Sequence, residues 1–204
     1  MERDVHVSME GWEVILASLV DELKIGICGI KAVCIDVDEA LSTARRVETS
    51  LEVTVQLFDA SLVATWEHVF FSALNAVKAF NDGRKIARTL GMECLLHMSG
   101  QRQINIALKM FGLKPKIREL GALIISKSEK RIKSAIQELV NRLGGVMEDS
   151  VLELNLEKAE RVKEAFKVGD EELAAVKTSK RENSLFEALV KCCIERSAIM
   201  LLES

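Results

Sequence analysis

Apolar and polar positions divide the first half of the chain into alternating strands and helices. Residues 25–35 (IGICGIKAVCI) are rich in β-branched side chains, and residues 51–58 (LEVTVQLF) alternate apolar with polar positions, so both predict strands. Between them, Asp36 precedes a stretch with carboxylates in its first turn and arginines in its last, which predicts a capped helix. Apolar side chains three or four apart over residues 62–80 predict a long helix whose stripe faces the sheet.

The middle of the chain continues with a less regular order of elements. We predict a short basic helix after Gly83, a buried strand over the continuously apolar residues 92–98 (MECLLHM), and then a helix that stops at Gly112. Residues 122–126 (ALIIS) predict a further strand. The pattern Ser126-x-x-Glu129 predicts a capping box that opens the following helix.

The last third is predicted to be helical, with pieces after Asn155 and Asp170, a polar connection at 177–184, and a final helix opened by Ser184. Because strands and helices interleave irregularly and several helices follow one another, the sequence predicts an α+β fold. We expect a mixed β-sheet of four or five strands packed with several helices. Residues 1–24 are predicted to be an N-terminal extension, and residues 25–204 a single domain ending in a partner-binding helix.

The composition is typical of an ordered globular chain of 204 residues, with 49% hydrophobic and 29% charged positions and one proline. No run of 18 apolar residues and no signal-peptide pattern is present, so we predict a cytoplasmic protein without a membrane partner. Its five cysteines include no C-x-x-C pair. This predicts reduced thiols and neither a disulfide framework nor a metal site.

Nucleotide-binding, zinc-protease and serine-hydrolase motifs are absent from the sequence, which favours a protein that is not an enzyme and has no cofactor. The histidines are isolated along the chain: we predict that His97 is packed or partly exposed, and that His68 touches a partner or lies at the surface. A thiol enzyme is an alternative, because a cysteine and a histidine distant in sequence can meet in a fold.

Positive charge is concentrated in one segment of an otherwise acidic chain. Residues 78–118 contain nine lysines and arginines against two acids, although the whole chain carries a net charge of −3. Such polarisation predicts a phosphate-binding face. Arg84 and Arg88, four apart, would share one side of the predicted basic helix with Lys85 beside them. A solvated helix face explains the same charge equally well.

Residues 55–114 resemble the small kinase-binding subunit of the KEOPS (EKC) complex, the family of the PRPK-binding protein TPRKB. The resemblance continues over about residues 25–204 and rests on the order and spacing of several short elements. These are the D-A-x-L-V lead, His68 at a helix start, Ala-Phe before Gly83-Arg84, Leu-Gly-Met-Glu-Cys-Leu-Leu, Gly100-x-Arg102-Gln103-Ile104, and Phe111-Gly112.

The resemblance implies a non-catalytic accessory subunit of the complex that makes threonylcarbamoyladenosine (t6A) in tRNA. Members of that family dock on and stimulate the small atypical kinase/ATPase subunit, and archaeal members hold the 3′ CCA end of tRNA. Carried over to this sequence, the RNA-binding candidates are Lys78, Arg84, Lys85, Arg88, Arg102 and Gln103.

The final helix is apolar over more of its circumference than one core face requires, which predicts that part of it contacts the kinase subunit. A helix wedged inside the protein would show the same pattern. The partner-binding candidates are Leu185, Leu189, Val190, Cys193, Ile194 and Leu201. The alternative to a KEOPS subunit is a free-standing RNA-binding domain without a kinase partner.

Overall fold

The computed structural model describes residues 5–7, 15–18, 23–32, 35–177 and 184–202. Parts of three predicted segments lie outside the described residues: 1–4, 8–14 and 19–22 of the N-terminal extension, 33–34 of the first strand, and 178–183 of the polar connection. The strands are β1 (Val5–Val7), β2 (Ile15–Ser18), β3 (Lys24–Ala32), β4 (Thr54–Asp59), β5 (Glu119–Ser126) and β6 (Gly145–Met147). The helices are α1 (Val37–Leu51), α2 (Trp66–Asn81), α3 (Leu90–Ser99), α4 (Ile104–Phe111), α5 (Glu129–Arg142), α6 (Leu156–Ala165), α7 (Asp170–Val176) and α8 (Ser184–Leu202).

Contacts within the chain group it into two compact units. Unit 1 comprises Met1–Ala60 and Gly112–Val151, and unit 2 comprises Ser61–Phe111 and Leu152–Ser204. Unit 1 therefore contains all six described strands together with α1 and α5, whereas unit 2 contains the other six described helices. None of the helices in the described parts of the chain is long and apolar enough to cross a membrane.

The sheet of unit 1 has the strand order β1-β2-β3-β5-β4, and β6 pairs with β3 as well. Helix α1 connects β3 to β4, which lie on either side of β5, and α5 connects β5 to β6, which lie on either side of β3. These are two split β-α-β units, the arrangement of ferredoxin-like folds. The α+β class is therefore confirmed.

The sheet is antiparallel in every described pair, and not mixed as expected. The two strands joined by each helix run parallel to each other, but a third strand lies between them and pairs antiparallel with both. No two parallel strands are therefore neighbours in the described sheet. The sequence also missed three short strands: β6, and β1 and β2 within the predicted extension, of which β2 pairs with β3.

Helices α1 and α5 each bury one apolar face in the core of unit 1, including Val47 and Ile132. The cap of α1 is as predicted, because the Asp36 side chain accepts a hydrogen bond from the backbone N–H of Glu39 at 2.9 Å. The capping-box prediction at Ser126 is wrong. That residue ends β5, and Ser128 supplies the cap of α5.

Helix α3 occupies the segment that was predicted to be a buried strand. From Glu93 to Ser99 every residue of α3 is buried, so the sequence lacks the polar face that gives a helix its period. Its ends are nevertheless marked, by Thr89 as N-cap and by Gly100 in the left-handed conformation as C-cap. Helix α2, whose apolar stripe is predicted to face the sheet, packs chiefly against α3 and α8 instead.

Candidate functional site

The six predicted RNA-binding side chains lie in unit 2, on α2 and in the two loops that flank α3, and all six are exposed. We call residues 84–88, between α2 and α3, the basic loop. Residues 100–103, between α3 and α4, are called the second loop. Lys78 lies in the last turn of α2, and Arg102 and Gln103 lie in the second loop.

The basic loop is not helical, and the prediction of a short helix there is wrong. Gly83 turns the chain out of α2 with a φ of 71°, in the left-handed region that favours glycine. The N–H of Arg84 then bonds back to the carbonyl of Ala79 at 2.9 Å. Arg84 and Arg88 are thus positioned by the path of the loop and not by a helical repeat.

A buried carboxylate holds the middle of the basic loop. Glu93, in the first turn of α3, is only 1% exposed. Its Oε2 atom accepts hydrogen bonds from the backbone N–H groups of Ile86, at 3.0 Å, and Ala87, at 2.6 Å. Because a buried carboxylate needs such donors, this contact restrains the loop and satisfies the acid at the same time.

The cations of the basic loop face the surface with few acids beside them. Arg84 forms an exposed ion pair of 2.8 Å with Asp82, and the Lys85 ammonium lies 4.3 Å from the centroid of the Phe80 ring. The other acid of the segment, Glu93, is turned inward. An exposed ion pair contributes little to stability, so Arg84 can exchange it for a phosphate group at low cost.

The second loop is fixed by the end of α3. The N–H groups of Gly100 and Gln101 bond to the carbonyls of His97 and Leu96, both at 3.2 Å, which is a Schellman motif. A Cβ atom on Gly100 would lie 3.1 Å from the Cβ atom of Arg196 in α8. The left-handed backbone therefore favours glycine there, and a side chain would also force α8 to move by a few tenths of an ångström.

His68 is fully buried, so the prediction that it touches a partner or the solvent is wrong. Its Nε2 atom donates to the carbonyl of Met98 at 2.9 Å, and its Nδ1 atom accepts from the N–H of Ala64 at 3.4 Å. Both ring nitrogens are thus satisfied by a neutral imidazole. Burial lowers the pKa of His68 to about 4.

His97 is packed, in agreement with its prediction, although it lies in a helix and not in a strand. Its Nδ1 atom is 3.0 Å from the carbonyl oxygen of Ser197 in α8, and its Nε2 atom is 3.7 Å from Oε1 of Glu93. Burial lowers the pKa of His97, an effect that the nearby Ser197 carbonyl and the Glu93 carboxylate oppose.

The four cysteines that the structure describes are free and buried. Burial raises the pKa of the thiols of Cys28 and Cys193 to about 12 and that of Cys192 to about 11, and it raises the pKa of Cys94 as well. All four are therefore protonated at neutral pH and are poor nucleophiles. Among the described residues, no group of three or more His, Cys, Asp or Glu side chains could hold a metal ion.

Helix α8 divides the predicted partner-binding residues between its inner and outer sides. Leu189 and Cys193 are buried, and Val190 and Ile194 are half-buried. The side chain of Leu201 lies outside the described residues. Leu185 is exposed, at 44%. Two residues that are not in the predicted set are exposed as well: Ile199 at 42% and Leu202 at 81%.

An arginine on α8 holds the neighbouring helices, a role that no pattern in the sequence indicates. Arg196 binds Glu172 of α7 through both guanidinium ends, at 2.6 and 3.0 Å, and donates to the carbonyl of Phe166 at 3.0 Å. These hydrogen bonds lower the pKa of the Glu172 carboxyl. Pairings between distant helices leave no periodic pattern along a chain, so only the structure reveals them.

Comparison with known proteins places this arrangement in a family. The model of the family described as "Kinase binding protein CGI-121" matches residues 35–197. The chain therefore belongs to the CGI-121 family of kinase-binding proteins, and the resemblance found in the sequence is confirmed.

Two curated relatives carry names of the same kind. A protein of Methanocaldococcus jannaschii named "Regulatory protein Cgi121" is 35% identical over 119 residues, which cover 58% of this chain and 74% of the relative. A protein of Pyrococcus abyssi named "KEOPS complex subunit Cgi121" is 35% identical over 78 residues, which cover 38% of this chain and 43% of the relative.

Proposed function

We propose that this chain is a non-catalytic, cytoplasmic accessory subunit of the KEOPS complex. In this role it binds and stimulates the small kinase/ATPase subunit through α8 and recruits tRNA, by its 3′ CCA end, for t6A modification. The family and the names of its relatives support the kinase part of this proposal. The observation that carries the RNA part is the exposed cations of the basic loop, on a backbone held by buried Glu93.

The basic loop has the properties that a single-stranded RNA end requires. Phosphate contacts supply most of the affinity in such complexes, and Arg84, Lys85 and Arg88 are exposed cations within five residues of one another. Arg102 and Gln103 add further polar groups in the second loop, immediately before α4 begins at Ile104. Backbone N–H groups at a helix start favour a phosphate as well.

Charge reversal in the basic loop tests the RNA assignment. We expect Arg84→Glu/Arg88→Glu to weaken tRNA binding about ten-fold or more in a gel-shift titration. The slope of log affinity against log salt should fall by about 0.7 for each phosphate group that the variant no longer binds. Both side chains are exposed, so the variant should fold normally.

A matched control is Arg45→Glu/Arg46→Glu, which makes the same charge change at two exposed arginines of α1 in unit 1. It should retain most of the wild-type affinity. Equal affinities for the loop variant and the wild type would contradict the RNA assignment. An equal loss in both variants would show that only the overall charge matters.

The kinase assignment is best tested on the outer side of α8. Removing α8 would also remove buried side chains, Cys192 and Met200 among them, and would expose the interior of unit 2. We therefore expect the clearer result from Leu185→Asp/Ile199→Asp, which replaces two exposed apolar side chains on one side of α8. This variant should weaken capture of the kinase subunit about ten-fold and lower the stimulation of its ATPase activity.

Exposed leucines on other helices of unit 2 provide the control for α8. Leu108→Asp/Leu156→Asp replaces two of them, in α4 and α6, and should leave kinase capture unchanged. If the α8 variant captures the kinase subunit as well as the wild type does, the proposed docking surface is wrong. If the wild type binds tRNA and captures no kinase, the chain acts as a free-standing RNA-binding protein.

A further inference from the structure

The basic loop is connected to α8 by a buried line of polar groups. The N–H groups of Ile86 and Ala87 donate to Oε2 of Glu93. The other carboxylate oxygen, Oε1, lies 3.7 Å from Nε2 of His97. On the far side of the ring, Nδ1 of His97 lies 3.0 Å from the carbonyl oxygen of Ser197 in α8. Both side chains in the line are 1% exposed. Every member lies in unit 2, so the line is internal to one compact unit.

The hydrogen-bonding chemistry makes the Glu93–His97 contact the adjustable part of this line. A carbonyl oxygen only accepts, so Nδ1 of His97 carries a hydrogen. A neutral His97 then presents the lone pair of Nε2 to the Glu93 carboxylate, and Nε2 has no hydrogen-bond partner although it is buried. Without a hydrogen between Nε2 and Oε1 the two side chains remain in contact at 3.7 Å, and a hydrogen between them would turn this contact into a hydrogen bond.

An apolar contact joins the same two elements independently. Ala87, in the middle of the basic loop, is buried in a cluster with Leu96 of α3, Ala107 of α4 and Met200 of α8. Because interiors are closely packed, a shift of Met200 displaces the residues around it. The basic loop is thus linked to α8 through both its backbone N–H groups and its only fully buried side chain.

We propose that Glu93 and His97 are positioning residues that couple the basic loop to α8, so that RNA bound at the loop and a kinase bound at α8 change each other's affinity. The proposal rests on the proposed function for the identity of the two ligands. The restraint on the loop is a property of the free protein and can be measured without either ligand. Coupling is reciprocal, and typical values for two sites on one protein begin at about five-fold.

Hydrogen exchange of the full-length chain measures the restraint directly. In Glu93→Ala, the amides of Ile86 and Ala87 lose their acceptor and should exchange about ten-fold faster or more. In Glu93→Gln they should stay protected, since the amide oxygen accepts from the loop while the amide N–H donates to Nε2 of His97. Unchanged exchange in Glu93→Ala, or equal acceleration in Glu93→Gln, would overturn the restraint.

A control separates this effect from general destabilisation. Cys94→Ala removes a buried atom from the neighbouring position of α3 and leaves the acceptor of the loop in place. When Cys94→Ala and Glu93→Ala are compared under conditions of equal stability, measured by urea unfolding, the amides of Ile86 and Ala87 should still exchange slowly in Cys94→Ala. If Glu93→Ala fails to fold, the comparison of Glu93→Gln with His97→Ala in the coupling experiment decides the proposal.

The coupling is tested by titrating the kinase subunit with and without a saturating short oligoribonucleotide that ends in CCA. We expect the oligonucleotide to shift the kinase affinity at least about five-fold in the wild type and in Glu93→Gln, and less than about two-fold in His97→Ala. The same shift in His97→Ala as in the wild type would overturn the coupling.

The outcomes of the two inferences can be told apart. If the wild type binds both ligands without mutual effect, the coupling is wrong and the proposed function stands. If the wild type binds neither ligand, the proposed function and the coupling both fail, and the exchange of Ile86 and Ala87 in Glu93→Ala still shows whether Glu93 restrains the loop.

Discussion

In unit 1, α1 and α5 cover a sheet with an apolar core, and the described buried polar side chains are few: Thr43, Asp59 and Ser126. Unit 2 is helical and buries a larger described set: His68, Ser72, Glu93, His97, Ser99, Lys158, Ser184 and Ser197. Burying a polar group is costly unless it is hydrogen-bonded, so those of these residues that are hydrogen-bonded fix the positions of their partners. In the described residues, the interior of unit 2 therefore has more side chains whose positions are fixed by hydrogen bonds than the interior of unit 1 has.

The comparison also relates to function. Both candidate surfaces, the basic loop and the outer side of α8, belong to unit 2. Two of its buried polar side chains, Glu93 and His97, lie between those surfaces. Substitutions in the core of unit 1 should accordingly act chiefly through packing, whereas those in the interior of unit 2 should also act through hydrogen bonds, protons and the order of its loops.

The largest effect is expected from overpacking the sheet of unit 1. A Cβ atom on Gly121 of β5 would lie 2.0 Å from a ring carbon of Phe58, its neighbour on β4. Gly121→Ala should therefore lower the free energy of unfolding by about 3 kcal/mol, measured by urea unfolding. Gly169→Ala in unit 2, where nothing lies within 4 Å and the glycine is the N-cap of α7, should cost about 1 kcal/mol or less. Equal effects of the two substitutions would contradict the packing account of unit 1.

A smaller effect should appear in unit 2 on acidification. The pKa of His68 is about 4 in the folded state against 6.5 for the free side chain, so between these values the unfolded state binds more protons. Stability is thus unaffected above about pH 6.5 and falls as the pH is lowered towards 4. The loss between pH 7 and pH 5 should be about 2 kcal/mol from this residue, measured by urea unfolding at a series of pH values.

The variant His68→Gln isolates that contribution. Its amide donates to the carbonyl of Met98 and does not titrate, so the fall in stability between pH 7 and pH 5 should become shallower. His97, whose pKa is also lowered, continues to contribute to the fall. A pH dependence identical to that of the wild type would mean that His68 is not the buried neutral group described here.

The smallest effect compares the N-caps of one helix in each unit. Thr89 caps α3 and Ser128 caps α5, through hydroxyl contacts of 3.3 and 3.4 Å to backbone N–H groups. Either substitution to alanine should cost about 1 kcal/mol. Only Thr89→Ala should also accelerate amide exchange in the basic loop, which ends beside that cap. Acceleration of the loop by Ser128→Ala would remove the distinction between the units.

The same difference explains which parts of the fold the sequence predicts. In unit 1 the Asp36 cap and the one-sided apolar face of α1 are visible in the pattern. The strand predicted over residues 51–58 is found at 54–59, because residues 51 and 52 form the end of α1. Helix α3 was misread as a strand because burial on all sides removes its period. The predicted cap of α5 lies two residues early because only Ser126 has a glutamate three residues further on, whereas β5 continues through Ser126 and the helix begins after Ser128.

The candidate site was predictable in its charges and not in its construction. The concentration of cations around Arg84 and Arg88 is a sequence property, and their exposure in the structure agrees with it. The role of Glu93 was not predictable, since a lone acid in an apolar stretch does not reveal which backbone groups it meets. The inner and outer residues of α8 could not be separated either, because the helix is apolar on both sides.

The central claim is that the basic loop of unit 2 holds the single-stranded 3′ end of tRNA, and one measurement tests it most directly. The affinity of the wild-type chain is measured over a range of salt concentrations for intact tRNA and for the same tRNA without its terminal CCA. We predict that trimming the end weakens binding about ten-fold and lowers the log–log salt slope by about 0.7 for each bound phosphate group that trimming removes. Equal affinities and equal slopes for the two tRNAs would contradict the account.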